Sequence, residues 1–201
     1  MRKLAIAALG VFLFGCGGKK VSAEDLKNYQ LTTEDLKVFY KDFPKVIETF
    51  RNITPTRTQI KEKGFEAFAE IDFPALTKQV VKETGFGDLN HFLKVYANIK
   101  IADIRLIAEK KIKEAEAELK KLDETLKALD ESKEAGKVNE DQYKALKEQL
   151  EAQKNAIKAN IDALKPFAQL EVSQANLNLV KKYWADVEAA LIKGNDWENL
   201  E

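Results

Sequence analysis

Residues 112–129 decide the fold, and they read IKEAEAELKKLDETLKAL. Their apolar side chains recur at alternating spacings of three and four residues, which is the pattern of a coiled-coil helix with a single apolar face. The residues of this face are Ile112, Ala115, Leu119, Leu122, Leu126 and Leu129. Nearly every other position is Lys, Glu or Asp. The stretch therefore predicts a long, solvated helix that packs against one partner helix.

A second helix with a similar apolar face follows a predicted turn. No Gly or Pro interrupts residues 88–135, and Gly136 is the first residue that favours a helix end. Asn139 and Gln142 resemble the capping box that begins the next helix. The stripe of this return helix consists of Tyr143, Leu146, Leu150, Ile157, Ile161 and Leu164, and Pro166 predicts its end or a kink.

The short turn predicts an antiparallel hairpin within one chain. The expected facing pairs are Leu129 with Tyr143, Leu126 with Leu146, Leu122 with Leu150 and Ala115 with Ile157. The alternative is one continuous helix through Gly136 that pairs with a second molecule. A Gly inside a helix costs only about 1 kcal/mol, so helix propensity does not decide between them.

The remaining sequence predicts a helical base from which the hairpin protrudes. Every Phe after residue 16 lies outside the hairpin, so the aromatic core belongs to the base. The predicted fold is all-α, a small helical bundle with a long protruding antiparallel coiled-coil hairpin. We expect a signal peptide at 1–15, a polar tether at 16–31, a base bundle at 32–107 plus 166–195, a hairpin arm at 108–165 and a tail at 196–201.

Within the base, we expect single helices over residues 55–71 and over the segment from Pro166 to Gly194. The first of these contains Gly64, which is a weak point in a helix.

The first sixteen residues carry the pattern of an exported protein. Arg2 and Lys3 precede an apolar stretch at residues 4–15 that is too short to cross a bilayer. The sequence Leu13-Phe14-Gly15-Cys16 resembles the lipobox of bacterial lipoproteins. This resemblance covers residues 1–16 only.

The lipobox resemblance implies a lipid anchor at Cys16. In lipoproteins the cysteine thiol is diacylglycerated, the preceding peptide is removed, and the new amino group is acylated by fatty acids such as palmitate. Several acyl chains attach a protein stably to a membrane. Gly17 follows the cysteine, and the sorting rule of enteric bacteria then implies the periplasmic face of the outer membrane where a cell has two membranes. The expected location is the bacterial cell envelope.

Composition excludes several classes of function. The chain has 33 basic and 33 acidic residues, so bulk charge gives no reason to expect nucleic-acid binding. It contains no P-loop, no Gly-x-Gly-x-x-Gly motif and no haem-attachment motif. His91 is the only histidine, which excludes catalytic sets that need two. We therefore expect no catalytic residues, no metal and no cofactor.

Two groups of polar residues are candidate sites. Asp88 and His91 have a spacing that could hold a metal, but Asp88 better fits a helix cap and His91 a first-turn residue. Asp103 follows Tyr96 and Ile99 at helical spacing and should point into the base. The sequence predicts a buried polar site of Asp103, Arg57 and Arg105, formed either as an Asp–Arg pair or as a contact to a polar ligand.

These observations favour a non-enzymatic, membrane-anchored envelope protein that acts as an interaction scaffold, adaptor or chaperone-like protein. Its expected partners are the membrane, through the lipid anchor, and a protein or a second copy of the chain, through the hairpin. The alternative is a lipoprotein that binds a small ligand in an apolar cavity of the base. An enzyme is the third possibility and would have to use carboxylates alone.

Overall fold

The computed structural model describes residues 20–194 and residue 196, and the regular structure in this part is helical. The helices are α1 (Ala23–Lys27), α2 (Thr33–Ile47), α3 (Arg57–Lys63), α4 (Glu66–Ala69), α5 (Ala75–Lys82), α6 (Leu89–Glu134), α7 (Glu140–Ala168), α8 (Gln174–Lys182) and α9 (Trp184–Lys193). A 3-10 turn lies at Arg51–Ile53. The predicted all-α fold with a long helical hairpin is confirmed.

Helices α6 and α7 form the hairpin, and the turn between them follows the predicted signals. Gly136 has a left-handed backbone with φ of 69°. The amide of Lys137 donates to the carbonyl of Ser132 at 2.9 Å, and the Gly136 amide donates to Lys133 at 3.0 Å. This pair of hydrogen bonds is the Schellman motif that ends a helix. Asn139 then caps α7, since its side chain accepts a hydrogen bond from the Gln142 amide at 2.9 Å.

Contacts between the two helices show that they run antiparallel. The Tyr143 hydroxyl donates to Asp130 at 2.7 Å, beside the predicted partner Leu129. Farther from the turn, Lys154 pairs with Asp123 at 2.6 Å. The chain therefore forms the hairpin within itself.

The two-helix seam is only partly covered. Leu126, Leu129 and Ile161 are buried, whereas the side chain of Leu146 is 45% exposed. Intermediate exposure is shared by Ile112, Ala115, Leu119, Leu122, Leu150, Ile157 and Leu164. At about 1.5 Å per residue, α6 extends roughly 40 Å beyond Ala108. The arm is therefore a thin, solvated projection with an apolar stripe.

The base surrounds the first half of α6, where residues on every side of the helix are buried. Aromatic rings fill its centre, and they stack or meet edge to face at centroid separations such as 4.4 Å between Phe39 and Phe43 and 5.0 Å between Phe86 and Phe92. Tyr96 contacts several of these rings and is fully buried. Such ring pairs add stability beyond the burial of their area.

Two predicted helices of the base are each divided in two. Residues 55–71 contain α3 and α4, separated at Gly64, whose φ of 55° ends α3. After Pro166, the expected single helix is divided into α8 and α9 at Tyr183. Pro166 itself lies inside α7, which continues for two further residues. Proline therefore does not stop α7 at the residue where the sequence predicted its end or a kink.

The segment before α2 is more ordered than the expected polar tether. Val21, Leu26 and Leu31 are buried in the main apolar cluster, and α1 packs against α6. Apolar residues at these positions explain why residues 21–31 join the base. Cys16 and the signal peptide lie outside the described residues. Within 20–194 and 196, no helix has both the length and the apolar character needed to cross a membrane.

Candidate functional site

The candidate site is a buried polar group on the inner face of α6. Asp103 is only 2% exposed, and its carboxylate accepts a hydrogen bond from the indole nitrogen of Trp184 at 2.8 Å. Trp184 begins α9, so this bond joins α9 to the centre of the base. The helical spacing that predicted an inward-facing Asp103 is therefore matched by its burial.

One turn earlier on α6, Lys100 is also 2% exposed. Its ammonium lies 3.1 Å from a carboxylate oxygen of Asp196 and donates to the Asp196 carbonyl. The Tyr96 hydroxyl donates to the same carboxylate oxygen at 3.1 Å. Asp196 is 7% exposed, so both members of the ion pair are removed from water. A buried pair of this kind is costly to break, because either charge alone would be left without compensation.

The surroundings of Asp103 favour its neutral form. Burial raises the pKa of Asp103 to about 6, and the negative charges of Glu188 and Asp196 act in the same direction. The Trp184 hydrogen bond and the positive charge of Lys100 oppose this rise. With Asp103 protonated, the charges of Lys100 and Asp196 balance each other inside the base.

The structure does not join the two predicted arginines to Asp103. The guanidinium of Arg105 pairs with Glu109 at 2.8 Å and donates to the Leu170 carbonyl at 3.3 Å. Arg57 is the first residue of α3 and is partly buried. Among the described residues, the partners of Asp103 are instead Trp184 and the nearby charge of Lys100.

Sequence reasoning missed Lys100, Tyr96, Trp184 and Asp196 as members of this group. Lys100 did carry a signal, because it interrupts a segment of α6 that is apolar on more than one face. A lysine in such a segment must be buried and needs a counter-charge. The identity of the counter-charge had no local signal, since Asp196 is 96 residues away along the chain.

His91 belongs to a second polar group, near the start of α6. Its Nε2 lies 2.8 Å from Asp35, and its Nδ1 lies 2.9 Å from the carbonyl oxygen of Phe86. Asp88 accepts a hydrogen bond from the His91 amide at 2.9 Å, as expected for a helix cap. With both ring nitrogens engaged, His91 has none free to act as a base toward a substrate.

Asp35 anchors this second group. Burial raises its pKa, but hydrogen bonds from Thr32, His91 and Tyr29 outweigh that effect and hold the pKa of Asp35 below its usual value. The same carboxylate caps α2 by accepting from the Thr32 amide at 2.8 Å. The group therefore fixes the entry of α2 against the start of α6.

A third buried group consists of two amides that are fully hydrogen-bonded. Asn176 accepts from the Leu31 amide and donates to Tyr29 and to Asn98, each at 2.8 Å. Asn98 in turn donates to the Leu26 carbonyl at 2.8 Å. These bonds join α8 and α6 to the segment around α1, which is a structural role.

Two cavities of the described residues open to the surface near α7. The larger one, of about 540 Å³, lies between α1, the α3–α4 turn and the end of α7, and includes Lys27, Lys63 and Glu171 in its lining. A second, of about 360 Å³, lies between α6 and α7 beside Ala115 and Asn160. In the part of the chain that the structure describes, no group of three or more His, Cys, Asp or Glu residues could hold a metal ion.

The turn end of the arm carries a compact set of polar contacts. Lys147 donates to Asp130 at 3.1 Å and to the Tyr143 hydroxyl at 2.7 Å. The ammonium groups of Lys133 and Lys147 also lie 5.5 and 5.1 Å from the centre of the Tyr143 ring. Lys133 pairs with Glu140 across the turn. These contacts hold the two helices in register at the end farthest from the base.

Comparison with known proteins found no matching family model, no matching curated protein and no matching solved structure.

Proposed function

We propose that this protein is a non-enzymatic, lipid-anchored scaffold or adaptor of the bacterial envelope, and that the hairpin arm is its contact element. The observation that carries the proposal is the partly covered apolar seam of the arm. Leu146 is 45% exposed, and Leu150 and Ile157 on the same stripe are partly exposed. An exposed apolar stripe on a rigid helix is the feature that partner helices recognise.

The base supports this proposal by serving as a platform. Its centre is filled by aromatic rings, and the Tyr96 hydroxyl and the Asn98 and Asn176 amides are hydrogen-bonded within the protein. Both ring nitrogens of His91 have partners within the protein. These contacts therefore stabilise the fold of the described base.

The anchor belongs to the same proposal. The lipobox at residues 13–16 favours acylation of Cys16, and residue 20, the first described residue, directly precedes the segment that packs on the base. Few residues would then separate the lipid from the base. We place the protein at the envelope membrane, on the periplasmic face of the outer membrane in a cell with two membranes, with the arm directed toward a protein partner or a second copy of the chain.

The alternative of a small-ligand-binding lipoprotein stays a prediction. It requires an apolar cavity in the base, whereas the rings at the centre of the base are in contact with one another. Native mass spectrometry of the anchored protein, released in mild detergent, tests it directly. A co-purifying small molecule of constant mass would favour this alternative.

Site-specific photo-crosslinking in living cells tests the arm. A photoreactive amino acid is placed at Leu146 on the arm or at Leu76 on α5, which is a matched control because Leu76 is a leucine that is 58% exposed on the base. We expect a discrete adduct from position 146 and none from position 76. The mass of the adduct distinguishes a second copy of this chain from a different protein.

Two outcomes would contradict the proposal. Equal crosslinking from both positions would mean that the arm has no preferred contact. Adducts from position 76 alone would place the contact on the base and leave the arm without the proposed role.

A further inference from the structure

Asp103 lies where a carboxylate can form no contact with bulk water. It is 2% exposed, and its only hydrogen-bond donor among the described residues is the Trp184 indole at 2.8 Å. Ionised carboxylates in proteins are usually stabilised by several donors. Burial with a single donor therefore stabilises the protonated form of Asp103 relative to the ionised form.

Charges from each element packed around Asp103 determine what its ionisation would do. Lys100 on α6 attracts the charge, whereas Glu188 on α9 and Asp196 after α9 repel it. Lys100 is already paired with Asp196 at 3.1 Å. The ammonium of Lys110, also on α6, lies 5.6 Å from the centre of the Trp184 ring. Ionisation of Asp103 would therefore leave one uncompensated negative charge inside the base.

We propose that Asp103 is a buried proton-binding site whose protonation state sets how tightly α9 is held against α6. A protonated Asp103 accepts the Trp184 hydrogen bond without adding charge. An ionised Asp103 keeps that bond but is repelled by Glu188 and Asp196. Separation of α9 from α6 admits water to the carboxylate and moves Glu188 away, so opening becomes more favourable once the proton is lost.

The direction of the pH effect follows from linkage. The pKa of Asp103 is raised to about 6 in the folded base, above its ordinary value of 3.8. A raised pKa contributes stability that is fully present below the ordinary value and is lost as the pH rises through the folded value. The free energy that Asp103 contributes to the packing of α9 on α6 is therefore largest near pH 4. It falls as the pH rises to about 6 and is constant above that pH.

Hydrogen exchange of α9 tests the proposal. The amides of Val187 and Leu191 are the probes, because both side chains are fully buried. Exchange is measured from pH 4 to pH 7 in the full chain and in Asp103→Asn, with correction for the intrinsic rate. The asparagine keeps an oxygen that accepts from Trp184 but cannot ionise. We expect the protection of α9 in the wild type, relative to Asp103→Asn, to fall by about tenfold to hundredfold over this range. Amides around Ile161 in α7 are the internal control. Their protection in the wild type, relative to Asp103→Asn, should not change with pH.

Two further variants keep the test decisive if Asp103→Asn does not fold. Glu188→Gln removes a repelling charge, so the pH at which α9 loosens should move down. Trp184→Phe removes the donor that favours the ionised form, so that pH should move up. A pH profile that is the same in the wild type, Glu188→Gln and Trp184→Phe would overturn the proposal. An Asp103→Asn variant that retains the wild-type profile would overturn it as well.

Discussion

At the scale of single residues, the least expected feature is a lysine at the centre of the base. Lys100 has its counter-charge on Asp196, and the two are within hydrogen-bonding distance, at 3.1 Å. Each would be an isolated buried charge without the other, and such a charge costs several kcal/mol. Burial of Lys100 in α6 therefore requires Asp196 to stay at this position.

A double-mutant cycle measures this dependence. We expect Lys100→Met or Asp196→Ala alone to lower the free energy of unfolding by about 3–5 kcal/mol, because each leaves one buried charge unpaired. The double variant should lose less than the larger of the two single losses. Urea denaturation of the four proteins gives the coupling energy. Additive losses would show that the two charges do not depend on each other.

The sequence predicts Asp103 as a member of this group, and Lys100 carries a signal of burial, but the partners of both residues have no local signal. Asp103 was found because helical spacing places it on the face of Tyr96 and Ile99. Its expected partners, Arg57 and Arg105, were chosen because arginines are few and pair readily with carboxylates. The actual partner, Trp184, lies 81 residues farther along the chain. A hydrogen bond between residues so far apart in sequence depends on how α9 packs against α6. Local periodicity carries no information about such packing.

At the scale of elements, the hairpin could be predicted because its signals are local. Gly136 and Asn139 each act within one helical turn, and both take the roles that their residue types favour. The division at Gly64 also has a local signal, whereas the division at Tyr183 has none. Tyr183 has no breaker beside it, so the separation of α8 and α9 reflects the packing of α9 on α2 and α6.

Substitution of Gly136 tests the turn. A Cβ at this position would meet no atom within 4 Å, so the cost of a side chain arises only from the left-handed backbone. We expect Gly136→Ala to lower the free energy of unfolding by about 1 kcal/mol. Gly136→Asn should cost less, because Asn tolerates this conformation. Thermal melts of the two variants provide the comparison, and an equal or larger loss for Asn would argue against a backbone origin.

At the scale of the whole molecule, the base and the arm differ in how fully their apolar residues are covered. The base has a continuous aromatic core, whereas the arm has a seam that water reaches along one side. The seam is not uniform, since Leu126 is buried whereas Leu122 and Leu150 are partly exposed. Leu146, the expected partner of Leu126, remains exposed and is the better measure of the weakly packed part.

Paired truncations test this division. Phe92→Ala removes a fully buried ring from the base and should lower the free energy of unfolding by about 3–5 kcal/mol. Leu146→Ala removes a side chain that is 45% exposed and should lower it by less than about 1 kcal/mol. Denaturation is measured at several protein concentrations. A large loss for Leu146→Ala that grows with concentration would show that the arm is packed in an oligomer.

In the proposed lipoprotein, attachment to the membrane depends on one sulfur atom. The lipobox resemblance assigns the anchor to the thiol of Cys16, which is the only cysteine. No described helix could cross a bilayer, and bulk charge gives no reason to expect strong binding to acidic lipids. We expect the wild type to enter the detergent phase on phase separation and Cys16→Ser to remain in the aqueous phase, with uncleaved precursor accumulating. Ser22→Ala is the matched control, because it also changes a small residue near the N-terminus but leaves the thiol. Equal partitioning of wild type and Cys16→Ser would refute the anchor, and with it the proposed location.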